Sequence, residues 1–271
     1  MKEYFISEID IEKLYHLSDI KIKLDSNKRQ HLLLTGKNGS GKTSLLLEIE
    51  KFLRAINDEK LSQVFDQYPT WINEAKKKVL SASSDSEKYA ADKDLKQCLG
   101  FLKKYSDGVQ INLNQYEGLE MMYHNGKFIT AYFPSERKAQ FMRPNGVENI
   151  TLENTYGIDE SAGDILLKYM VHLKTQQAYA RNEGDQTTAN QIQKWFDRFD
   201  SALQILLDEE SIHIEYDYKK YDFKIRQNGR EPFSFNELSD GYSSVIYIVS
   251  DLILRMDKNW LLEDKISEDR K

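Results

Sequence analysis

Gly36-Lys37-Asn38-Gly39-Ser40-Gly41-Lys42-Thr43, followed by Ser44, is the stretch whose reading decides the fold. Its flanks differ sharply. His31-Leu32-Leu33-Leu34-Thr35 before it reads as a short buried strand, while Leu45, Leu46, Ile49, Phe52, Leu53 and Ile56 after it recur at helical spacing. Strand, glycine loop and helix start together match G-x-x-x-x-G-K-[ST], a loop whose backbone N–H groups surround phosphates. The glycines let the chain pass close to the phosphates, and the helix N-terminus offers unpaired N–H groups and a positive dipole end. In this arrangement Lys42 neutralises charge between β- and γ-phosphates, and the Thr43 hydroxyl is the metal ligand for Mg²⁺. The expected ligand is ATP; the plain alternative is a glycine-rich turn without nucleotide.

At 271 residues the chain fits one large α/β domain or a domain carrying an inserted subdomain. A net charge of −6 argues against a whole-molecule polyanion binder and leaves room only for a local basic groove. Cys98 is the single cysteine, which excludes a disulfide framework and a thiolate metal cluster; it reads as a small apolar residue on a helix. No run is long enough for a membrane span, and Met1-Lys2-Glu3 opens no signal-peptide core, so a cytoplasmic protein without membrane contact is expected.

Around the loop, Tyr4-Phe5-Ile6 to Ile11 and then Ile20, Ile22 and Leu24 read as two strands joined at Leu17-Ser18-Asp19. Tyr15 lies upstream of the loop and reads as core, with stacking on adenine as the alternative. Residues 57–107 are rich in Lys, Asp, Ser and Gln and read as a helical insertion with a loose loop at Ser81–Lys88. Its Lys76-Lys77-Lys78 run reads as a solvated helix face in preference to a nucleic-acid contact. Residues 108–160 read as a β region. Val109–Leu113 forms one strand, followed by a hairpin of Leu119–Tyr123 and Phe128–Phe133 turning at His124-Asn125-Gly126. Residues 161–235 read as two helices followed by antiparallel strands at 212–218 and 221–225.

The second informative stretch, in residues 236–271, is Asn236-Glu237-Leu238-Ser239-Asp240-Gly241-Tyr242-Ser243-Ser244, set before an apolar helix with Val245, Ile248, Val249, Leu252 and Ile253. By itself it reads as a serine-rich helix cap or as an anion site at a helix start. Taken with the glycine loop, Leu238-Ser239-Asp240-Gly241-Tyr242-Ser243 resembles the L-S-x-G signature of ABC-type ATPases, most of all the SMC/RecF-like branch with the OLD-type and defence-associated bacterial AAA-type ATPases. The resemblance covers residues 1–56 and 233–256.

The resemblance implies a P-loop NTPase, an ABC-type ATPase head with an antiparallel β subdomain and a helical insertion. Two such heads, as a homodimer or higher oligomer, would sandwich ATP and Mg²⁺, with Ser239 and Gly241 reaching the γ-phosphate held by the Lys42 loop of a second copy. It implies a role in DNA repair and maintenance or in anti-phage defence, with DNA and a nuclease effector among the partners. It also implies a metal- and water-contacting loop, for which Tyr132-Phe133-Pro134-Ser135-Glu136-Arg137 is the place to look, although no glutamine matches. The family's Walker B strand, ending in Asp-Glu after the signature helix, has no counterpart before Lys271, so the chain resembles a head cut before its catalytic carboxylates. Ile205-Leu206-Leu207-Asp208-Glu209 mimics that strand but continues the helical stripe of Trp195, Phe199 and Leu203. An ATPase whose hydrolysis needs residues beyond the chain end is the leading expectation, and a nucleotide-binding regulatory or assembly protein without turnover is the runner-up.

Overall fold

Ile9 and Ile11, both fully buried, alternate with Asp10 and Glu12, so one face of the first strand is core and the other faces charge and water. The structure, a computed structural model, describes residues 3–135 and 141–268. The chain divides into two units, Met1–Thr130 and Ala131–Lys271, each with its own hydrophobic core.

In the first unit β1 (Ile6–Leu14) lies between β2 (Leu17–Lys23) and β3 (Val109–Leu113), antiparallel to both. Ile9, Ile11, Val109 and Ile111 share a core with Phe52, Ala55 and Ile56 of α1 (Lys42–Asn57). The β1–β2 turn falls at Tyr15-His16, with Leu14 paired to Leu17, and not at the expected Leu17-Ser18-Asp19. Leu17 is drawn inward: its Cδ1 lies 2.8 Å from where a Cβ on Gly41 would stand. Tyr15 is correspondingly pushed out to 76% exposure at a φ of +53°, so its expected place in the core is wrong.

His31–Thr35 is also not the buried strand expected of it. The segment joins no ladder, and Leu33 is 85% exposed. Both edges of β1 are already taken, and among the described residues no further strand runs beside 31–35. Both sheets in the chain are antiparallel throughout the described residues.

After a π-helical turn at Gln63–Gln67, α2 (Tyr68–Ser81) and α3 (Asp85–Lys103) pack side by side. Their connection is a capped turn in place of the expected loose loop. The Ser84 hydroxyl accepts from Glu87 N at 3.2 Å, and the Glu87 carboxylate accepts from Ser83 N at 2.8 Å and Ser84 N at 3.3 Å. The expected hairpin at 119–133 is instead α4 (Leu119–His124) followed by irregular chain. Leu119 and Tyr123, one turn apart, are both buried, and the Asn125-Gly126 pair closes the helix. Gly126 at φ +66° lets Lys127 N reach Met122 O at 2.8 Å, a Schellman ending that replaces the hairpin turn.

In the second unit α5 (Leu166–Asn182) and α6 (Gln186–Leu207) are separated by Gly184 and by Asp185, whose carboxylate accepts from Thr188 N at 3.0 Å. They pack with the antiparallel sheet β4 (His213–Asp217), β5 (Asp222–Arg226) and β6 (Phe233–Ser234). Trp195 stacks on Phe199 at 5.5 Å, and Phe223 is fully buried beneath Phe196 at 6.0 Å. Each such aromatic contributes about 1.5–3 kcal/mol by leaving water. The last helix, α7 (Asp240–Glu268), crosses this core with Ile246 and Leu254 buried, and also buries Asp257 against α5. Tyr169 Oη donates to the Asp257 carboxylate at 2.5 Å.

Burial pushes the Asp257 carboxyl up to about 6, opposed by the hydrogen bond from Tyr169. Since this folded-state value lies above the unfolded value of about 4, the protonated form suits the fold, and that stability is lost as pH rises through 6. Asp257→Asn, which keeps the acceptor for Tyr169, is expected to raise the melting temperature by about 3–8 °C at pH 7.5. The gain should vanish near pH 4, as thermal melts across that range will show.

Candidate functional site

The glycine loop closes on itself through its lysine. Lys42 Nζ donates to Gly36 O and Lys37 O, each at 2.8 Å, and lies 3.4 Å from Ser40 Oγ. Ser40 N adds a turn bond to Lys37 O at 3.2 Å. Gly39 at φ +79° and Gly41 at φ +89° adopt backbone conformations that side chains disfavour, and Gly41 is further constrained by Leu17. Gly41 is the N-cap of α1. No side chain caps that helix and no acidic residue sits in its first turn, so its leading N–H groups and dipole are uncompensated.

These elements border a cleft of about 540 Å³, lined by Asn38, Gly39, Ser40, Gly41, Lys42, Thr43 and Ser44 with Tyr15 and His16 opposite. Gly36 and Lys37 stand behind the lining and offer the carbonyls that hold the lysine. The donor set suits a polyphosphate: backbone N–H groups, one ammonium, and the Thr43, Ser44 and Ser40 hydroxyls, with no carboxylate in the lining. Thr43 is exposed at the cleft and could give a single hydroxyl to Mg²⁺, the remaining ligands coming from phosphate and water. Among the described residues no group of three or more His, Cys, Asp or Glu gathers to hold a metal by itself. Tyr15 offers an exposed ring at the cleft, which favours the stacking alternative over the core one.

The second stretch begins α7. The helix starts at Asp240, so Gly241, Tyr242 and Ser243 lie in its first turn and Ser239 is the residue before it, accepting from Ser243 N at 2.9 Å through its carbonyl. Ser239, Asp240, Gly241 and Tyr242 are exposed, while Leu238 packs on the core of the second unit. The Ser239 hydroxyl makes no hydrogen bond among the described residues, so it is not spent as a cap. Gly241 has no need to be glycine within this chain: its φ is ordinary and a Cβ there would meet nothing within 4 Å. Glycine at a helical position costs about 1 kcal/mol relative to alanine.

Ile205–Glu209 ends α6. Asp208 takes φ +50° at the C-cap, and the Glu209 carboxylate accepts from Ser211 N at 3.1 Å and Ser211 Oγ at 2.8 Å, which holds its pKa below the ordinary value. Of the expected metal- and water-contacting loop, Tyr132–Ser135 is irregular chain, and Glu136 and Arg137 lie outside the described residues.

Sequence reasoning missed a buried polar face on α7. Arg255 Nε donates to Asp251 at 2.5 Å, with the two side chains 3% and 1% exposed. Arg255 also donates to Tyr156 O at 3.3 Å, to Gly157 O at 3.1 Å, and to Glu160 O. Asp251 accepts from Gly163 N at 3.0 Å. The available signal was the interruption of the apolar run by Ser250-Asp251 with Arg255 one turn on.

Set beside known proteins, the chain matches no family model, no curated sequence and no solved structure.

Lys42→Ala is expected to weaken binding of a fluorescent ATP analogue by about 10–100-fold, as follows from the ~1.5–3 kcal/mol of a charge-assisted contact; unchanged affinity in the titration removes the loop from consideration. Glu209→Gln is expected to leave that affinity and any turnover intact, since its carboxylate is bound to Ser211 and Gln227, away from the glycine loop's lining; lost turnover with binding retained would make it catalytic.

Proposed function

We propose that the chain is an ATP-binding head, holding the triphosphate on Gly36–Ser44 and completing the site of a second copy with Leu238–Ser243. The observation that carries the nucleotide reading is the loop itself, where an uncapped helix end, a lysine poised on loop carbonyls and three hydroxyls line one cleft without a carboxylate. Lys42 would leave its carbonyl partners for the β- and γ-phosphates, which compete well because they carry full charge. Asn38 to Thr43 would supply the N–H cradle, and Tyr15 the face on which adenine stacks. Thr43 would hold Mg²⁺, which neutralises phosphate charge when bound.

The trans reading rests on Gly241 and Ser239. A glycine without conformational or steric reason, beside an unused hydroxyl on an exposed helix start, suits close approach by a group from outside this chain. Asp240 in the same turn favours the helix dipole but adds negative charge, so an arriving phosphate must be met by the N–H groups and Ser239. By resemblance the head belongs to DNA maintenance or anti-phage defence. The second reading, nucleotide binding without turnover, is favoured by the lack of any carboxylate in the cleft lining.

Gly241→Asp is expected to bind ATP as the parent does, because its own loop is untouched. It should fail to dimerise, since a carboxylate placed where the γ-phosphate arrives adds repulsion to steric block. Light scattering with ATP and Mg²⁺ beside a binding titration gives both readouts. Dimerisation equal to the parent's reduces Leu238–Ser244 to a helix start, and turnover measured on the chain alone and on the natural full-length product decides between the two readings.

A further inference from the structure

A stretch of backbone without strand or α-helix, running from Tyr132 where it is described into a 3-10 turn at Ala162–Ile165, is held by side chains of the signature stretch and its helix at three successive levels. Asn236 brackets Phe141, accepting from its N–H at 3.2 Å and donating to its carbonyl at 3.3 Å. Two turns into α7, Tyr247 Oη donates to Asp164 at 2.9 Å, and Asp164 O in turn accepts from Met142 N at 3.2 Å. One turn further Asp251 takes the Gly163 N–H, and after another turn Arg255 spans the carbonyls of Tyr156, Gly157 and Glu160. The loop bracketed by Arg255 passes the tie onward, because Ile158 O accepts from Tyr132 N at 2.9 Å. Gly163 is pressed against α7 so closely that a Cβ there would stand 3.3 Å from Asp251 and from Tyr247 O.

A buried ion pair is a poor way to gain stability, because desolvation offsets much of the attraction. Its use here is geometric. A planar guanidinium bonded to one carboxylate and three carbonyls fixes the loop at a single distance and orientation from the helix. A displacement of α7 therefore moves the Tyr156–Gly163 loop, and with it the Tyr132–Ser135 segment.

We propose that Arg255 is a positioning residue: it couples the signature helix to the Tyr156–Gly163 loop and on to Tyr132, so that docking of a neighbour's nucleotide at Ser239–Gly241 is felt at Tyr132–Ser135. The proposal rests on the trans reading of the signature given above. Arg255→Lys is the informative variant. It keeps a positive charge for Asp251, so the unit folds, but an ammonium cannot span the three carbonyls.

Hydrogen exchange read by mass spectrometry tests it in two arms. Without nucleotide, peptides covering 131–135 and 156–163 should exchange about tenfold faster in Arg255→Lys, with α5 and α6 unchanged. With a non-hydrolysable ATP analogue and Mg²⁺, the parent should dimerise and gain protection in 131–135. Arg255→Lys should dimerise with a melting temperature close to the parent's and show no such gain. A general loss of structure would instead lower protection everywhere and abolish dimerisation. The proposal is overturned if Arg255→Lys leaves exchange in 156–163 at the parental rate, or if it retains the nucleotide-dependent gain at 131–135. A parent that fails to dimerise overturns transmission together with the trans reading, while the nucleotide-free arm separately decides whether Arg255 holds the loop. Should Arg255→Lys melt far below the parent, Asn236→Ala provides the same comparison at the Phe141 level, where the loss is confined to two bonds near the surface.

Discussion

A guanidinium can stay charged inside a protein only where its donors find acceptors, and Arg255 finds them in the Asp251 carboxylate and the carbonyls of Tyr156, Gly157 and Glu160. Chain without helix or sheet leaves N–H and C=O groups that must be satisfied side by side with apolar burial. The 141–165 stretch would be unable to pack on α7 if that helix offered only leucines. Asp251, Arg255 and Asn236 supply the missing bonds, and the backbone carbonyls offset what would otherwise be costly buried charge. Each side solves the other's problem, so the aromatic core beneath is sealed by a polar layer instead of a second apolar one.

The two glycines that matter most stand in contrast. Gly41 is explained twice over by its own chain, through a φ of +89° and through Leu17, which leaves no room for a Cβ. Gly241 has neither reason, and sits at an exposed helix start where alanine would be the better helix former. That asymmetry separates a glycine its own chain explains from one it does not.

Much of the local structure could be read from spacing. The α5 and α6 stripes, the end of α6 at Asp208-Glu209 and the antiparallel strands after it follow from periodicity and turn residues. The failures have physical causes. Asn125-Gly126 suits both a hairpin turn and a helix ending, and the buried pair Leu119 and Tyr123 decided for the helix. The β1–β2 turn moved to Tyr15-His16 because Leu17 was needed inside. His31–Thr35 has strand composition, yet composition alone cannot provide a neighbour to pair with. At the site, residues of the glycine loop were legible because their chemistry is local, whereas the opposing Tyr15 and His16 depend on where a hairpin ends. The Arg255 network was invisible because its partners are carbonyls, which every residue has.

The bare His31–Thr35 segment has a practical side. Three consecutive leucines outside any ladder, uncharged and free of proline, with Leu33 85% exposed, make the kind of segment to which other chains add strands. No lysine or bulge guards it between Gln30 and Gly36. Purified at high concentration, this chain should therefore be limited by association through that short segment well before its net charge of −6 ceases to keep molecules apart.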